Sequence, residues 1–136
     1  MVCALTACKG GGGGGAPTPA GWQRLSGDTW VHGVRAARQT YTYTKERFSG
    51  TLQELAQREI VNNALHKLKF VKSDVYEPCP GVAAIATFTG AGKTVQDGFA
   101  VVNGSAMVVH YERPANVPAD SAASAAMQRA LCVAPA

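Results

Sequence analysis

The sequence predicts a single α+β domain over about residues 21–136, in which an antiparallel sheet carries two packed helices as a layered sandwich. Three observations predict it. The element signals run strands, helix, a meander of about four strands, helix, without the strand-to-helix alternation of a doubly wound fold. Thr51 stands three residues before Glu54 at the head of an apolar stripe, the mark of a capped helix. Asn103-Gly104 lies between two β-branched runs, a strong hairpin signal, because a type I′ turn needs positive φ at both central positions.

Taken in order, Trp22–Leu25 and Thr29–His32 read as short strands joined at Ser26-Gly27-Asp28, an N-terminal hairpin. Gln39–Lys45 alternates Tyr and Thr, which places tyrosines on one face of a strand and threonines on the other. From about 51 to 67, Leu52, Leu55, Ile60, Ala64 and Leu68 recur at spacings of three to five, one apolar helical stripe. Arg58, Glu59, Asn62 and Lys67 are expected mostly off that stripe. Lys69–Tyr76 alternates again, with Phe70 and Val75 apolar and Lys72 and Asp74 polar. Val82–Thr89 is small and apolar, as suits a central strand. Thr94–Val102 and Ser105–Arg113 flank the Asn-Gly turn. Pro114 and Pro118 then break the sheet, and Asp120 caps a last helix with Ala123, Ala126, Met127, Ala130 and Leu131 on its buried side.

Composition bounds the function classes. The 136 residues suit one domain; apolar residues are 46% and charged residues 16%, enough to form a core. The net charge of +4 is dispersed from Lys9 to Arg129, whereas a nucleic-acid reader concentrates charge on one face, so no nucleic-acid partner is expected. Non-specific solubility or weak attraction to an anionic membrane surface fits the charge better. No run approaches the roughly 18 apolar residues of a membrane-spanning helix.

The first residues carry a different signal. Leu5-Thr6-Ala7-Cys8 resembles the lipobox of bacterial lipoprotein signal peptides, a family in which a small residue precedes a cysteine that is acylated and becomes the N-terminus. The resemblance implies lipidation at Cys8. Residues 1–8 then read as a signal remnant and 9–20, with six consecutive glycines and two prolines, as a flexible tether ahead of the domain. Only seven residues precede Cys8 and none is basic, short of a full export signal, so an upstream start codon is expected. A chance L-T-A-C is the alternative.

Cys3 and Cys8 fall in that segment, which leaves Cys79 and Cys132 for the domain. An even pair in an exported domain reads as a disulfide. Closing a loop of about 50 residues is worth roughly 4 kcal/mol in the chain-entropy model. Two separate buried thiols are the other reading; without C-x-x-C, a redox pair is disfavoured.

Several motif fragments have simpler explanations. Gly92-Lys93-Thr94 ends like a phosphate-binding loop, but Thr87 stands where the first glycine belongs and no helix follows, so a hairpin turn is expected. Asn103-Gly104-Ser105 matches a glycosylation sequon and is better read as the turn. His32, His66 and His110 are far apart and lack metal-ligand spacing, so each is expected as a lone surface histidine, with no metal and no cofactor. There is no G-x-S-x-G and no close carboxylate pair, hence no catalytic residue is assigned. Trp22, Trp30, Tyr41, Tyr43 and Tyr111 are expected as packing residues before ligand contacts.

The element order, with the Gly21-Trp22 start, the Tyr41–Thr44 strand, the Thr51–Leu68 helix, the Asn103-Gly104 hairpin, the Tyr111-Glu112-Arg113-Pro114 strand end and Cys79 with Cys132, resembles the PsbP-like or DcrB-like class of small α+β domains. The resemblance implies an accessory or binding role and transfers no functional residue. The expectation is a periplasmic protein held to the membrane by a lipid anchor, non-enzymatic, binding an envelope protein or component. An enzyme of unfamiliar type with a pocket between sheet and helix, and a cytosolic interaction domain, are the alternatives.

Overall fold

Pleat alternation along one strand sorts this fold into layers. In the computed structural model, which describes residues 18–75 and 82–132, the described residues form seven strands and two helices. The strands are β1 (Gln23–Ser26), β2 (Thr29–His32), β3 (Gln39–Arg47), β4 (Lys69–Val75), β5 (Val82–Gly90), β6 (Lys93–Val102) and β7 (Ser105–Pro114); the helices are α1 (Leu52–Leu65) and α2 (Ser121–Leu131). They build one antiparallel sheet in the order β1-β2-β3-β7-β6-β5-β4. The protein is α+β, laid out as its element order predicts.

Successive residues of a strand face opposite sides. Along β7, Met107, Val109 and Tyr111 join Trp22, Trp30 and Tyr41 against the buried side of α2, while Ala106 and Val108 join Leu55, Phe88 and Phe99 against α1. The helices therefore cover opposite faces, and β7 is the strand both cores share. Its pairing with β3, Thr40 opposite Glu112 through Arg47 opposite Ser105, joins the N-terminal hairpin to the meander. Val82–Thr89, expected at the centre, forms β5 one strand in from the edge; Ala84 and Ala86 are buried in the core beneath α1 and Ala83 in the core beneath α2.

Local chemistry explains the element ends. Thr51 accepts from the Glu54 amide at 3.1 Å and Glu54 accepts from the Thr51 amide at 2.8 Å, the expected capping box. Asp120 accepts from the Ala123 amide at 3.1 Å and starts α2, whose buried residues are the five expected. Asn103 (φ 47°) and Gly104 (φ 78°) form the turn between β6 and β7. Ala91 and Gly92 form the turn between β5 and β6, so Gly92-Lys93-Thr94 is a hairpin corner that leads into a strand. Gly98 lets α2 approach β6: a Cβ there would lie 3.0 Å from Leu131 Cδ1 and 3.1 Å from Met127 Cγ. No helix among the described residues is long and apolar enough to cross a membrane.

Candidate functional site

Between α1 and the sheet lies a polar cleft of about 310 Å³, bordered by Glu59, Asn62, Asn63 and His66 of the helix side and Lys93, His110 and Glu112 of β6 and β7. Behind its lining residues His110 and Asn63 lies Asp97, a carboxylate with 0% exposure on the same face of β6 as Val95 and Phe99. The β6–β7 register sets Asp97 directly opposite His110. His110 Nδ1 donates to Asp97 Oδ1 at 2.6 Å, and Asn63 Nδ2 donates to Asp97 Oδ2 at 2.7 Å. The same amide group donates to the Glu59 carbonyl at 2.9 Å, which anchors the Asn63 side chain to its own helix. A buried charge requires such pairing, because an unpaired carboxylate in a core is very costly.

The chain of contacts continues towards solvent. His110 Nε2 faces Glu112 Oε1 at 3.4 Å, and Lys93 Nζ donates to Glu112 Oε2 at 3.0 Å. Beside it, Arg58 donates to Glu59 Oε2 at 3.1 Å and to Glu46 Oε1 of β3. Burial alone would push the His110 imidazolium down, but its hydrogen bonds to Asp97 and Glu112 outweigh burial and raise it to about 10. The His110 hydrogen bond pulls Glu112 down against its burial, and Lys93 adds to the pull, to about 2. Glu59 moves the other way: burial and then the charge of Asp97 raise it, with Arg58 opposing. At neutral pH His110 is thus a fixed cation between two carboxylates. On the helix side of the cleft stand Asn62 and His66, whose Nδ1 donates to the Asn62 carbonyl at 2.9 Å.

The histidine expectation needs correction. His110 is no lone surface residue; with 34% of its side chain exposed, it is the hub of an ion-pair network. Glu59, expected mostly off the buried stripe, has a side chain only 14% exposed and points into the cleft. No spacing within a single element marks Asp97 and His110. The hairpin does: five residues outward from the pair Val102 and Ser105 beside the turn, the strands reach Asp97 and His110. Asn63, four residues after Glu59 on α1, was hidden by its adjacency to Asn62.

The other named residues are placed as follows. Trp22, Trp30, Tyr41 and Tyr111 are buried packing residues, and Tyr43 is half-buried beside them. His32 stacks on Trp22 at 5.4 Å between ring centres. Cys132 follows α2 as its C-cap and is disulfide-bonded. Cys79, expected to pair with it, lies outside the described residues, as do Cys8 and the tether up to residue 17. Among the described residues, no three His, Cys, Asp or Glu side chains gather to hold a metal ion. Comparison with protein-family models, characterised proteins and solved structures gives no match.

Proposed function

We propose that this chain is a membrane-tethered lipoprotein of the bacterial envelope, anchored through Cys8, whose domain is a non-enzymatic binding or accessory module with the cleft beneath α1 as its contact site. One observation carries the binding reading. His110 is held between Asp97 and Glu112 with its pKa at about 10, so it keeps its proton at neutral pH, whereas a general acid or base works best near the ambient pH. The network shapes the cleft, and the Asn62 amide and the His66 ring offer polar contacts to a small polar molecule or a polar segment of a partner. The disulfide at Cys132 supports an oxidising location. The strand-helix-meander-helix order supports the PsbP-like reading of the domain.

Mass spectrometry of the native N-terminus tests the anchor: acylated Cys8 is expected, and any other mature terminus removes it. For the cleft, amide NMR shifts are followed while neutral polar fragments (sugars and amino-acid amides) are added. Shifts gathered at Asn62, His66 and His110, and lost in Asn62→Ala with His66→Ala, are expected. Shifts scattered over the surface would sink the assignment.

A second reading rests on Glu59. A carboxyl raised by burial and by a neighbouring charge, in a cleft, is a candidate acid. Glu59→Gln separates the two readings: it abolishes turnover in an enzyme and leaves fragment binding in place in a binding module.

A further inference from the structure

The sheet ends at β4, and this edge differs from the rest of the surface. All seven residues Lys69–Val75 are exposed, and among the described residues no strand pairs with the outer side of β4. An open edge offers unpaired N–H and C=O groups to another extended chain. Lysines and a bulge, both present on β4, often blunt a natural edge; here the two faces are unlike. Register with β5 places Phe70, Ser73 and Val75 on the α1 side and Lys69, Lys72 and Asp74 on the other. Phe70 is 45% exposed and Val75 70% exposed. Between Phe70 and α1 lies a groove of about 430 Å³, lined also by Ile60 and Ala64 of the helix and by Lys67, Leu68 and Lys69. On the opposite face Lys72 bridges Asp74 at 3.5 Å, and Lys69 has no acidic partner among the described residues.

We infer that β4 is a docking edge for an extended acidic peptide segment, one that alternates apolar and carboxylate side chains and adds to the sheet as an eighth strand. Each feature specifies one property of the occupant. The open backbone of β4 requires an extended chain, since only a strand can satisfy a row of ladder groups. Pleat alternation sends every second side chain of that chain over Phe70, beside the groove, and over Val75, so those residues are apolar. The intervening ones fall beside Lys69, Lys72 and Asp74; Lys72 is already bridged to Asp74, so a carboxylate is favoured chiefly beside Lys69, where opposite charge across a strand pair is favourable and like charge is not. The bulge between Phe70 and Lys72 interrupts the ladder, so the segment pairs in two short stretches, one at Lys69–Phe70 and one along Lys72–Val75. The groove borders the polar cleft at Leu68, but the inference does not depend on the function of the cleft.

The test uses the full chain and a synthetic ten-residue peptide of alternating valine and glutamate, with three controls: the valine–lysine version, the valine–glutamate peptide N-methylated at alternate residues, and the protein alone. Expected are peptide-induced amide shifts and slowed hydrogen exchange along Lys69–Val75, weakened by about tenfold or more on N-methylation. Lys69→Glu with Lys72→Glu reverses the preference towards the lysine peptide, an outcome that unfolding or simple loss of contacts does not produce. Phe70→Ser weakens both peptides. Equal binding of the methylated peptide, shifts away from β4, or no binding at about 1 mM overturns the inference. Concentration-dependent pairing of the protein alone through β4 overturns it too, since the edge then belongs to a second copy of the chain.

Discussion

At the scale of single residues, two buried polar groups are treated in opposite ways. Asp97 has no exposure and is held by His110 and Asn63. Tyr41 has no exposure either, yet its hydroxyl has no hydrogen-bond partner among the described residues. Burial, the largest influence on that phenol, pushes its pKa up, so the group stays neutral and simply goes unsatisfied. An unpartnered buried hydroxyl costs about 1–3 kcal/mol, whereas its ring packs edge-on to Trp22 and Trp30. Tyr41→Phe keeps the ring and removes the cost. Urea unfolding is expected to show unchanged or higher stability, by up to about 1 kcal/mol; a loss greater than that would reveal a partner for the hydroxyl. Asp97 shows what the sequence hides at this scale. Its neighbours Val95 and Phe99 announce a core-facing strand face, and a carboxylate among them signals a buried pair. The partner becomes visible only once the Asn103-Gly104 register is projected along both strands.

At the scale of elements, local signals decided most of the structure. The capping box, the Asp120 cap, the Tyr/Thr strand and the Asn-Gly turn are all determined by residues within four positions, and all are found. The features that escaped depend on distant packing. The sheet position of β5 depends on which strands flank it, and the short 3-10 turn Arg35–Ala37 carries no capping signal. Asp120 also does more than cap α2. Its Oδ2 accepts from Trp22 Nε1 at 2.9 Å as well as from Ala123, and its backbone N–H donates to the Tyr111 hydroxyl, which in turn donates to Gln39. One residue thus ties α2 to β3, β7 and the chain ahead of β1. Asp120→Ala is expected to cost about 2 kcal/mol, the upper end for a lost cap, because the Trp22 indole loses its acceptor as well. Asp120→Asn keeps an acceptor oxygen and should recover more than half. Gly98→Val probes the same helix from beneath. Its Cβ meets Leu131 and Met127 at about 3 Å, so overpacking is expected to cost about 1–3 kcal/mol, measured by thermal unfolding.

For the whole molecule, stability against pH follows from how the cleft network is charged. The His110 imidazolium has a folded pKa of about 10 against an ordinary 6.5. Raised in the fold, it stabilises fully below about pH 6.5 and loses that contribution as the pH climbs towards 10. Glu112 is lowered to about 2 from 4.5, so its contribution is complete above about pH 4.5 and is lost as the pH falls towards 2. Glu59 opposes both. Its raised carboxyl makes charging it in the fold unfavourable, which takes back some stability as the pH rises out of the carboxylate range. The unfolding free energy is therefore expected to be highest between about pH 4.5 and 6.5 and to decline towards pH 9, measured by urea denaturation at each pH. The alkaline slope belongs to one residue facing Asp97, Glu112 and, across the cleft, Glu59. His110→Gln lowers stability throughout and should flatten the profile between about pH 6.5 and 9, because no proton is then released by folded and unfolded chains at different pH. A wild-type profile already flat over that interval would mean that His110 shares no proton with its carboxylates, and the cleft would then be open to acid–base chemistry near neutral pH.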